Sequence, residues 1–572
     1  AGRGFHAQNT VKAVRALRGC TNVWFDVSGI CEPEAIVAIL KEFGPRRLLW
    51  GSDFPVSEMR GRAVSIGDGF FWLTEESLSG EKLIADIAPN LVKLYLESLH
   101  ALQSACSLFG ASSDDRKDIF SRNALDLFGI ERRPAGISQS LYVHAKKRIP
   151  GGTQLLSKRP ENMCPNQWPP YYREARGCEI WDLDGRHYYD MSTNGIGACL
   201  LGFADPDVND AVIRRVNLGS ASTLNLAEEV ELADLLCSIH PWASQARFTR
   251  AGGETGAVAV RIARATTDRS VVAFCGYHGW HDWYLSANLG ESDALRGHLL
   301  PGLNPFGVPR ELRGTAFPFT YNNIEEFERI IDAHGENLAC VVMEPCRGRD
   351  PEPGFLEYVR DEAHRVGALL IFDEVTIGFR RNFGGSHLAL GVNPDIAFFA
   401  KALANGFPIG AVIGTAEAME GAHISFISST SWTEGVGPAA ALASVQKLKA
   451  KDVSTYIAKI GNLVCAAWKR SAEHYGLPVE FDGGYPCLAH FKFDHPESEA
   501  LRTLYTQLML DRGFLAGVSI YPTLAHTEEI VALYAEAVDE VFKEIATVIH
   551  GGNIQQALKG PVALSGFKRL LS

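Results

Sequence analysis

The sequence lacks any apolar run of the roughly 18 residues that a membrane-spanning helix needs. Basic residues are also in the minority, because 55 lysines and arginines stand against 67 acidic residues and the net charge is −12. Such an acidic balance is not typical of proteins that bind nucleic acid or anionic membranes. The first residues show no charged segment followed by an apolar one, so no signal peptide is expected. We therefore predict a cytoplasmic location, with no membrane or nucleic-acid partner.

The twelve cysteines include no Cys-x-x-Cys pair. Disulfide frameworks and zinc sites usually show regular or closely paired cysteines. We therefore expect reduced thiols and no metal site. What is present is typical of folded globular domains, with 46% hydrophobic and 21% charged residues. A chain of 572 residues is too long for one core, so several domains are expected.

Residues 1–135 are predicted to form a separate domain. "TNVWFDVSG", "EPEAIVAILKEFG" and "RRLLWGSDFP" follow one another as strand, helix and strand, which is typical of a parallel α/β unit. Amphipathic helices are expected from about Gly80 to Leu108 and from Asp115 to Phe128. The polar segment from Glu131 to Ser140 contains proline and glycine and is predicted to be a linker.

The rest of the chain is predicted to be a larger α/β protein. In residues 136–200, "GCEIWDLDGRHYYDM" alternates around an Asp-Gly turn and predicts a hairpin. Residues 201–447 alternate helices with the apolar strands "ARFTRAG", "SVVAFCG", "LACVVMEP", "ALLIFDEV", "IAFFAKA" and "PIGAVIG", which predicts a large, mainly parallel sheet. Residues 448–550 are expected to form a smaller α+β domain, and residues 551–572 a tail.

Two of these apolar strands are followed by charged residues. Asp373 and Glu374 end one of them, and Lys401 follows the next. Ligands of open α/β sheets bind beyond the carboxyl ends of the strands. A carboxylate and a lysine buried there are either a structural ion pair or part of a cofactor site. A buried lysine can form an imine with an aldehyde, and a carboxylate can keep a pyridine nitrogen protonated.

Two further segments favour a cofactor that carries a phosphate and a flat ring. Gly252 and Gly253 stand at the start of an amphipathic helix, where free backbone N–H groups and the helix dipole attract anions. Tyr277 and His278 follow another predicted strand and lie between glycines. Either aromatic residue could stack on a ring, although aromatic residues at such spacing also belong to cores.

Together, "FDEVTIGFR", "NPDIAFFAKALANGFPIGAVIG", "GYHGWHD", "VVMEP" and "GCEIWDLDGRHYYDMS" resemble the class III pyridoxal-phosphate (PLP) aminotransferases. The resemblance extends over roughly residues 148–549 and is expected to be closest to the glutamate-1-semialdehyde 2,1-aminomutases. It implies a fold-type I transferase, with a large mainly parallel sheet domain and a smaller α+β domain. It also implies PLP as cofactor, an amino donor and a carbonyl acceptor as small-molecule substrates, and a homodimer with shared active sites.

The resemblance implies a role for each matching residue. Lys401 would form the Schiff base with PLP and move the proton, and Asp373 would pair with the pyridine nitrogen. Tyr277 and Val375 would flank the ring, and Thr433 would reach the phosphate bound by the other subunit. The implied catalytic residues are Lys401, Asp373 and Tyr277, and the implied cofactor-binding residues are Gly252, Gly253, Tyr277, His278, Glu344, Asp373, Val375, Lys401 and Thr433.

Two departures from the family pattern bear on the substrate. The phosphate loop reads "AGGET", without the usual hydroxyls, so backbone contacts must contribute more. In "PGGTQLLSKRP", Lys158 with Arg159 beside it stands where the aminomutases have a carboxylate-binding arginine, and a lysine cannot form a bidentate clamp. Both residues are candidates for substrate binding. The resemblance therefore predicts a class III aminotransferase that moves an amino group between an amine or amino acid and a carbonyl compound through a Lys401 Schiff base. A glutamate-1-semialdehyde-type aminomutase is the alternative, and a catalytically silent scaffold ranks behind both.

The N-terminal segment resembles the last part of the metal-dependent amidohydrolases, which are (β/α)₈ barrels. "RRLLWGSDFP" places Asp53 where that family has a catalytic aspartate after the final strand. A barrel takes about 250 residues, and no His-x-His pair precedes Asp53. We therefore expect a partial barrel remnant that binds no metal.

Overall fold

The computed structural model describes residues 7–66, 69–74, 77, 91–128, 136–290, 303–481 and 484–565. The chain divides into two compact units, Ala1–Pro134 and Ala135–Ser572. Each unit buries apolar side chains in a core of its own. Among the described residues, none of the helices is both long and apolar enough to cross a membrane.

The first unit contains the predicted strand, helix and strand. Its two short strands pair in parallel, with one helix between them in the chain, which confirms the prediction for this segment. An antiparallel hairpin follows. The strands are β1 (Phe25–Asp26), β2 (Leu48–Leu49), β3 (Gly61–Ile66) and β4 (Gly69–Thr74), and the helices are α1 (Ala7–Ala16), α2 (Pro33–Phe43), α3 (Leu94–Phe109), α4 (Ser113–Lys117) and α5 (Asn123–Leu127).

The later part of the helix predicted from about Gly80 to Leu108 is confirmed. Residues 80–90 lie outside the described residues, and α3 begins only at Leu94, after Lys93 forms an isolated bridge with Arg60. The helix predicted at Asp115–Phe128 is present, with a π-helical turn at Asp118–Arg122 between α4 and α5. Residues 131–135 of the predicted linker lie outside the described residues, and its last residues belong to a helix that begins at Ile137.

The second unit is built on a seven-stranded sheet. Its order is β10-β9-β11-β12-β13-β14-β8, in which the first five strands are parallel and β14 runs antiparallel to both neighbours. These strands are β8 (Gln245–Thr249), β9 (Val271–Cys275), β10 (Ala316–Pro318), β11 (Leu338–Met343), β12 (Leu369–Asp373), β13 (Ile396–Phe399) and β14 (Gly410–Gly414).

Six of these seven strands coincide with the predicted apolar segments. Both faces of the sheet are covered, since Val341 and Met343 of β11 pack in one cluster and Cys340 and Val342 in the other. Strands buried on both faces have continuous apolar sequences, which made them visible in the chain. Strand β10 was missed because it has only three residues and ends in a proline.

A second sheet joins the segment before residue 200 to the C-terminal region. The predicted hairpin is confirmed by β6 and β7, and β7 pairs in parallel with β18, which lies more than 300 residues later. The remaining strands are β5 (Tyr172–Arg176), β6 (Glu179–Asp182), β7 (His187–Met191), β15 (Val479–Glu480), β16 (Ala489–His490), β17 (Lys492–Phe493), β18 (Phe514–Ala516) and β19 (Ser519–Ile520).

The helices of the second unit cover these sheets. Asp205 caps the helix that begins at Pro206, since its carboxylate accepts two backbone N–H groups of the first turn. The helices are α6 (Ile137–Ala145), α7 (Pro206–Asn217), α8 (Ala227–Ile239), α9 (Gly252–Thr267), α10 (Asp282–Leu285), α11 (Ile324–His334), α12 (Phe355–Arg365), α13 (Ser386–Leu390), α14 (Glu420–Ile424), α15 (Val436–Ala450), α16 (Val453–Tyr475), α17 (Ser498–Asp511), α18 (Glu528–Gly551) and α19 (Ile554–Ala557).

A buried polar network fixes the chain just after β12. The Glu374 carboxylate accepts hydrogen bonds from the Ser386 hydroxyl at 3.0 Å and from Nδ1 of His387 at 2.7 Å. Nε2 of His387 in turn accepts from the Trp242 indole at 3.0 Å, so His387 is neutral. His240 stacks on His387 and accepts the Gly385 N–H at its own Nε2. Glu374 is thus compensated by hydrogen bonds.

We predict that His240 makes the stability of the second unit depend on pH. Burial lowers the pKa of His240 from 6.5 to about 4. Between these values the unfolded chain binds a proton that the folded chain rejects, so the free energy of unfolding falls as the pH drops from about 6.5 to about 4, by up to about 3 kcal/mol. Denaturant unfolding should show this loss in wild type and less of it in His240→Gln. His474→Gln, at an exposed histidine, is the control, and equal pH profiles in all three proteins would contradict the prediction.

Candidate active site

The candidate site lies beyond the carboxyl ends of four neighbouring parallel strands. Tyr277 follows β9, Glu344 follows β11, Asp373 ends β12 and Lys401 follows β13. Because these strands are adjacent and parallel, their ends meet at one edge of the sheet. Residues predicted from widely separated segments are thereby brought to the same edge.

Asp373 is buried and held by two hydrogen bonds. Its Oδ1 accepts the backbone N–H of Val375 at 2.9 Å, and its Oδ2 lies 2.8 Å from Nδ1 of His278. Nε2 of His278 lies 3.2 Å from the carbonyl oxygen of Cys275, so both ring nitrogens face an acceptor. His278 stacks on Trp283 and is itself buried. The sequence predicted His278 as a cofactor contact, whereas the structure directs its ring to the carboxylate of Asp373.

Lys401 stands at the start of a short 3₁₀ turn, where its φ of 46° is in the left-handed region. Its Nζ donates to Thr376 Oγ1 at 2.9 Å. Burial lowers the pKa of Lys401, although the charge of Asp373 opposes this and the charge of Arg380 adds to it. A lowered pKa increases the fraction of neutral amine, which is the nucleophilic form of a lysine.

Gly252 and Gly253 begin α9 and lie in tight contact with neighbouring segments. A Cβ on Gly252 would be 3.1 Å from Cγ1 of Val375, and a Cβ on Gly253 would be 3.3 Å from the His281 ring. Gly279, with φ of +103°, approaches so closely that its own Cβ would lie 2.9 Å from Cα of Gly253. The helix N-terminus therefore offers backbone N–H groups in a narrow cup that could hold an anion.

Glu344 and Tyr277 border the site on the β9 and β11 side. The Glu344 carboxylate pairs with Nε of Arg347 at 3.1 Å and accepts the Tyr277 N–H at 3.4 Å. Burial raises the pKa of Glu344, against the opposing charge of Arg347. Gly276 is required there, because a Cβ would lie 2.5 Å from Glu344 Oε2. The Tyr277 ring is half-buried and meets the Tyr284 ring edge-on.

Three further predicted site residues make contacts of their own within the described chain. Thr433 is exposed, and its hydroxyl donates to its own turn at the carbonyl oxygen of Thr430. Lys158 is exposed, and its charge lowers the pKa of the buried carboxyl of Asp190, which burial itself raises to about 6. The Arg159 guanidinium folds back against Gly151 in the preceding turn.

The sequence analysis did not select two residues that the structure places beside Lys401. The Thr376 hydroxyl accepts a hydrogen bond from Nζ of Lys401. Arg380 is fully buried, and its positive charge lowers the pKa of Lys401. The sequence did contain a signal for Arg380, because this charged residue ends the mainly apolar segment "TIGFR", just as Lys401 follows an apolar strand.

The described residues of the first unit form no comparable centre. Asp53 follows β2 as predicted but is exposed, with φ of 57°. Across the described parts of both units, no group of three or more histidine, cysteine, aspartate or glutamate side chains is arranged to hold a metal ion.

Comparison with known proteins identifies the family of the second unit. Residues 164–485 match the family model for class III aminotransferases, which covers more than half of the chain. The 3-aminobutyryl-CoA aminotransferase of Cloacimonas acidaminovorans (strain Evry) is 31% identical over 425 residues, which cover 72% of this chain and 98% of that protein. The chain belongs to the class III aminotransferases. Members of this family transfer amino groups with PLP, and this chain is an enzyme of that kind.

Solved structures agree with the fold-type I architecture. The omega-transaminase from Sphaerobacter thermophilus is 28% identical, with a TM-score of 0.64 over 73% of this chain and 99% of that one. A glutamate-1-semialdehyde aminomutase from Pseudomonas aeruginosa, 20% identical with a TM-score of 0.60 over 71% of this chain and 94% of that one, shares the fold alone. Residues 5–130 match the amidohydrolase family model, as the N-terminal motifs indicated.

The residues at the sheet edge of this aminotransferase fit PLP. The narrow cup at Gly252 and Gly253 suits a phosphate, the Asp373 carboxylate suits a pyridine nitrogen, and the Lys401 amine suits an aldehyde. When bound, PLP supplies that aldehyde together with a protonated ring that withdraws electrons from the adjoining carbon.

We predict that Gly279→Ala weakens PLP binding about tenfold or more. The added Cβ would press on Cα of Gly253 and displace the N–H groups of the cup. Gly307→Ala is a matched control, because Gly307 also has a positive φ, +88°, but an added Cβ there would meet nothing within 4 Å. Dissociation constants for PLP from absorbance titration should separate the two variants. Equal PLP affinities of the two variants would show that the close approach of Gly279 to Gly253 does not affect PLP binding.

Proposed function

We propose that this aminotransferase works through the residues at the sheet edge, with Lys401 as the lysine that bonds covalently to PLP. The observation that carries the proposal is the partly buried Lys401 amine, which donates to Thr376 at the same sheet edge as the buried Asp373 carboxylate and whose pKa is lowered by burial. A neutral amine at this position can attack an aldehyde and, once released, can accept a proton.

The proton transfers assigned to Lys401 are supported by its surroundings. Nζ donates to Thr376 Oγ1, which holds the amine in one direction at the end of β13. From there it could take the proton from the substrate carbon that bears the amino group and later give a proton back. Asp373 would hold the pyridine nitrogen of bound PLP in its protonated form, and His278 keeps the carboxylate in position through its 2.8 Å contact.

We further propose transamination between two substrates rather than internal isomerisation. The relative that is 31% identical is named an aminotransferase, and the aminomutase shares only the fold. Lys158 also stands exposed where the aminomutases are expected to have a carboxylate-binding arginine. Release of a keto product after incubation with an amino donor alone would support transamination. Formation of an isomer without a second substrate would support the aminomutase instead.

We predict that Lys401→Ala lowers turnover by at least about 1,000-fold, because the variant loses both the amine that bonds to PLP and the proposed acceptor of the carbon-bound proton. Borohydride reduction of the wild-type holoenzyme should fix PLP on the peptide that contains Lys401. Lys451→Ala, at an exposed lysine, is the control and should retain both activity and labelling. If PLP is bound but its absorbance stays the same with every amino donor that is added, a catalytically silent scaffold is favoured over an enzyme.

The dimer with shared active sites is also a proposal, and it is supported by the segment around Thr433. Arg250 precedes the glycine cup and donates from Nη2 to the carbonyl oxygens of Trp432 at 2.8 Å and Glu434 at 2.6 Å. The Trp432 indole donates to Glu254 in the first turn of α9. These contacts fix the backbone on both sides of Thr433 while its side chain faces outward, available to a second copy of the chain.

We predict that Thr433→Ala weakens PLP binding about ten- to a hundredfold, because a hydrogen bond to a charged phosphate contributes roughly 1.5–3 kcal/mol. Thr430→Ala is the matched control, since Thr430 belongs to the same short turn and is also exposed. Dilution of the wild-type dimer should release PLP as well. If Thr433→Ala lowers only the melting temperature, its hydroxyl serves the turn and not the cofactor.

A further inference from the structure

Arg380 is a fully buried cation that has no carboxylate partner among the described residues. Its Nη2 donates to the carbonyl oxygen of Gly197 at 2.5 Å. Its Nε and Nη1 are buried without any hydrogen-bond acceptor. The Tyr521 ring lies beside the guanidinium, with its centroid 5.4 Å from Cζ. The side chain therefore has two nitrogen donors to spare.

The other charged groups of the site are already compensated. Asp373 is paired with His278 at 2.8 Å, and Glu344 is paired with Arg347 at 3.1 Å. The nearby charge of Arg380 instead acts on Lys401, whose pKa it lowers. A buried guanidinium without a counter-charge is unfavourable, so an anionic group brought by a ligand would stabilise it.

The backbone around Arg380 is shaped to hold the guanidinium in this place. The Arg380 N–H donates to the carbonyl oxygen of Ile377 at 3.0 Å, which turns the chain back after Thr376. Gly197 has φ of +81°, and a Cβ there would lie 3.2 Å from both Arg380 Nη2 and Tyr521 Cδ2. A larger residue at position 197 would occupy the space that the guanidinium needs.

We propose that Arg380 binds the carboxylate of the substrate, so that the enzyme selects amino acids over uncharged amines and amides. This inference rests on the proposed function, because it assigns a substrate group to the same site. Arginine suits the task, since its fixed donors match the two oxygens of a carboxylate. An amide of equal size lacks the negative charge and leaves the cation uncompensated. Lys158 is exposed and cannot give a comparable desolvated contact.

The test compares acids with their amides on the holoenzyme. Alanine and β-alanine are matched against alaninamide and β-alaninamide, and conversion of bound PLP to its amine form is followed by absorbance. Wild type should react with at least one of the acids about 100-fold faster than with its amide. In Arg380→Gln this preference should fall below about fivefold. The ratio of the acid rate to the amide rate is the readout, because loss of the Arg380 charge also changes the pKa of Lys401 and therefore both rates. The preference of Arg380→Lys for acids should lie between those of wild type and Arg380→Gln, because lysine keeps the positive charge but lacks the paired donors of the guanidinium.

Arg381→Gln is the matched control. Arg381 is the next residue but pairs with Asp350 at 2.8 Å and lies over the Tyr485 ring, so its loss should leave the preference for acids intact. A second readout is the dissociation constant of the unreactive acid propanoate, measured on the holoenzyme, which should rise about 100-fold in Arg380→Gln. This measurement does not require turnover.

The outcomes separate the subsite from the function. A wild-type enzyme that reacts equally fast with acids and amides would overturn the Arg380 proposal and leave transamination standing. An enzyme that converts none of the donors, yet binds propanoate through Arg380, would contradict the proposed function alone. If the Arg380 variants fail to fold, the wild-type measurements still test the proposal. A wild-type enzyme that shows no preference for acids over amides and does not bind propanoate would overturn it.

Discussion

The burial of Lys401 next to charged groups at the end of a parallel sheet is the constraint on which the site depends. A lysine keeps an ordinary pKa when it faces water, and it becomes a useful nucleophile and base only when burial disfavours its charge. The left-handed backbone of Lys401 and the hydroxyl of Thr376 hold the amine in that environment. Asp373 opposes the effect, so the protonation of Lys401 reflects a balance between burial and a nearby carboxylate.

The dipeptide Asp373–Glu374 shows how two adjacent carboxylates acquire different tasks. Successive side chains of a strand point to opposite faces, and the structure follows this rule at the end of β12. Asp373 contacts His278 at the site, while Glu374 contacts Ser386 and His387 in a buried network. The second carboxylate thereby anchors the segment that continues to Thr376. A carboxylate with a structural role, Glu374, and a carboxylate of the site, Asp373, are thus neighbours in sequence.

Much of the fold was predictable, because parallel strands buried on both faces leave continuous apolar segments in the sequence. The residues after those strands were predictable for the same reason, since the ends of β12 and β13 must share an edge. The orientation of the His278 ring was not predictable, because the local sequence does not indicate whether a ring that follows a strand faces a ligand or a neighbouring carboxylate. The pairing of β7 with β18 joins segments more than 300 residues apart. Arg380 was visible as a charge in an apolar segment, but its unpaired donors appear only in three dimensions.

The N-terminal unit differs from this site, because its described residues gather no group of candidate ligands around Asp53. Its match to the amidohydrolases covers residues 5–130, and its parallel pairing among the described residues consists of β1 and β2. A complete barrel places its metal ligands on several strands around one mouth. Asp53 is exposed, and no other candidate ligands of the described residues gather with it. The unit nevertheless buries its own core, in which Val27 and Leu48 pack with Ile36 of α2. An aspartate at a strand end therefore supports the resemblance to the amidohydrolases, whereas a metal site needs ligands from several strands.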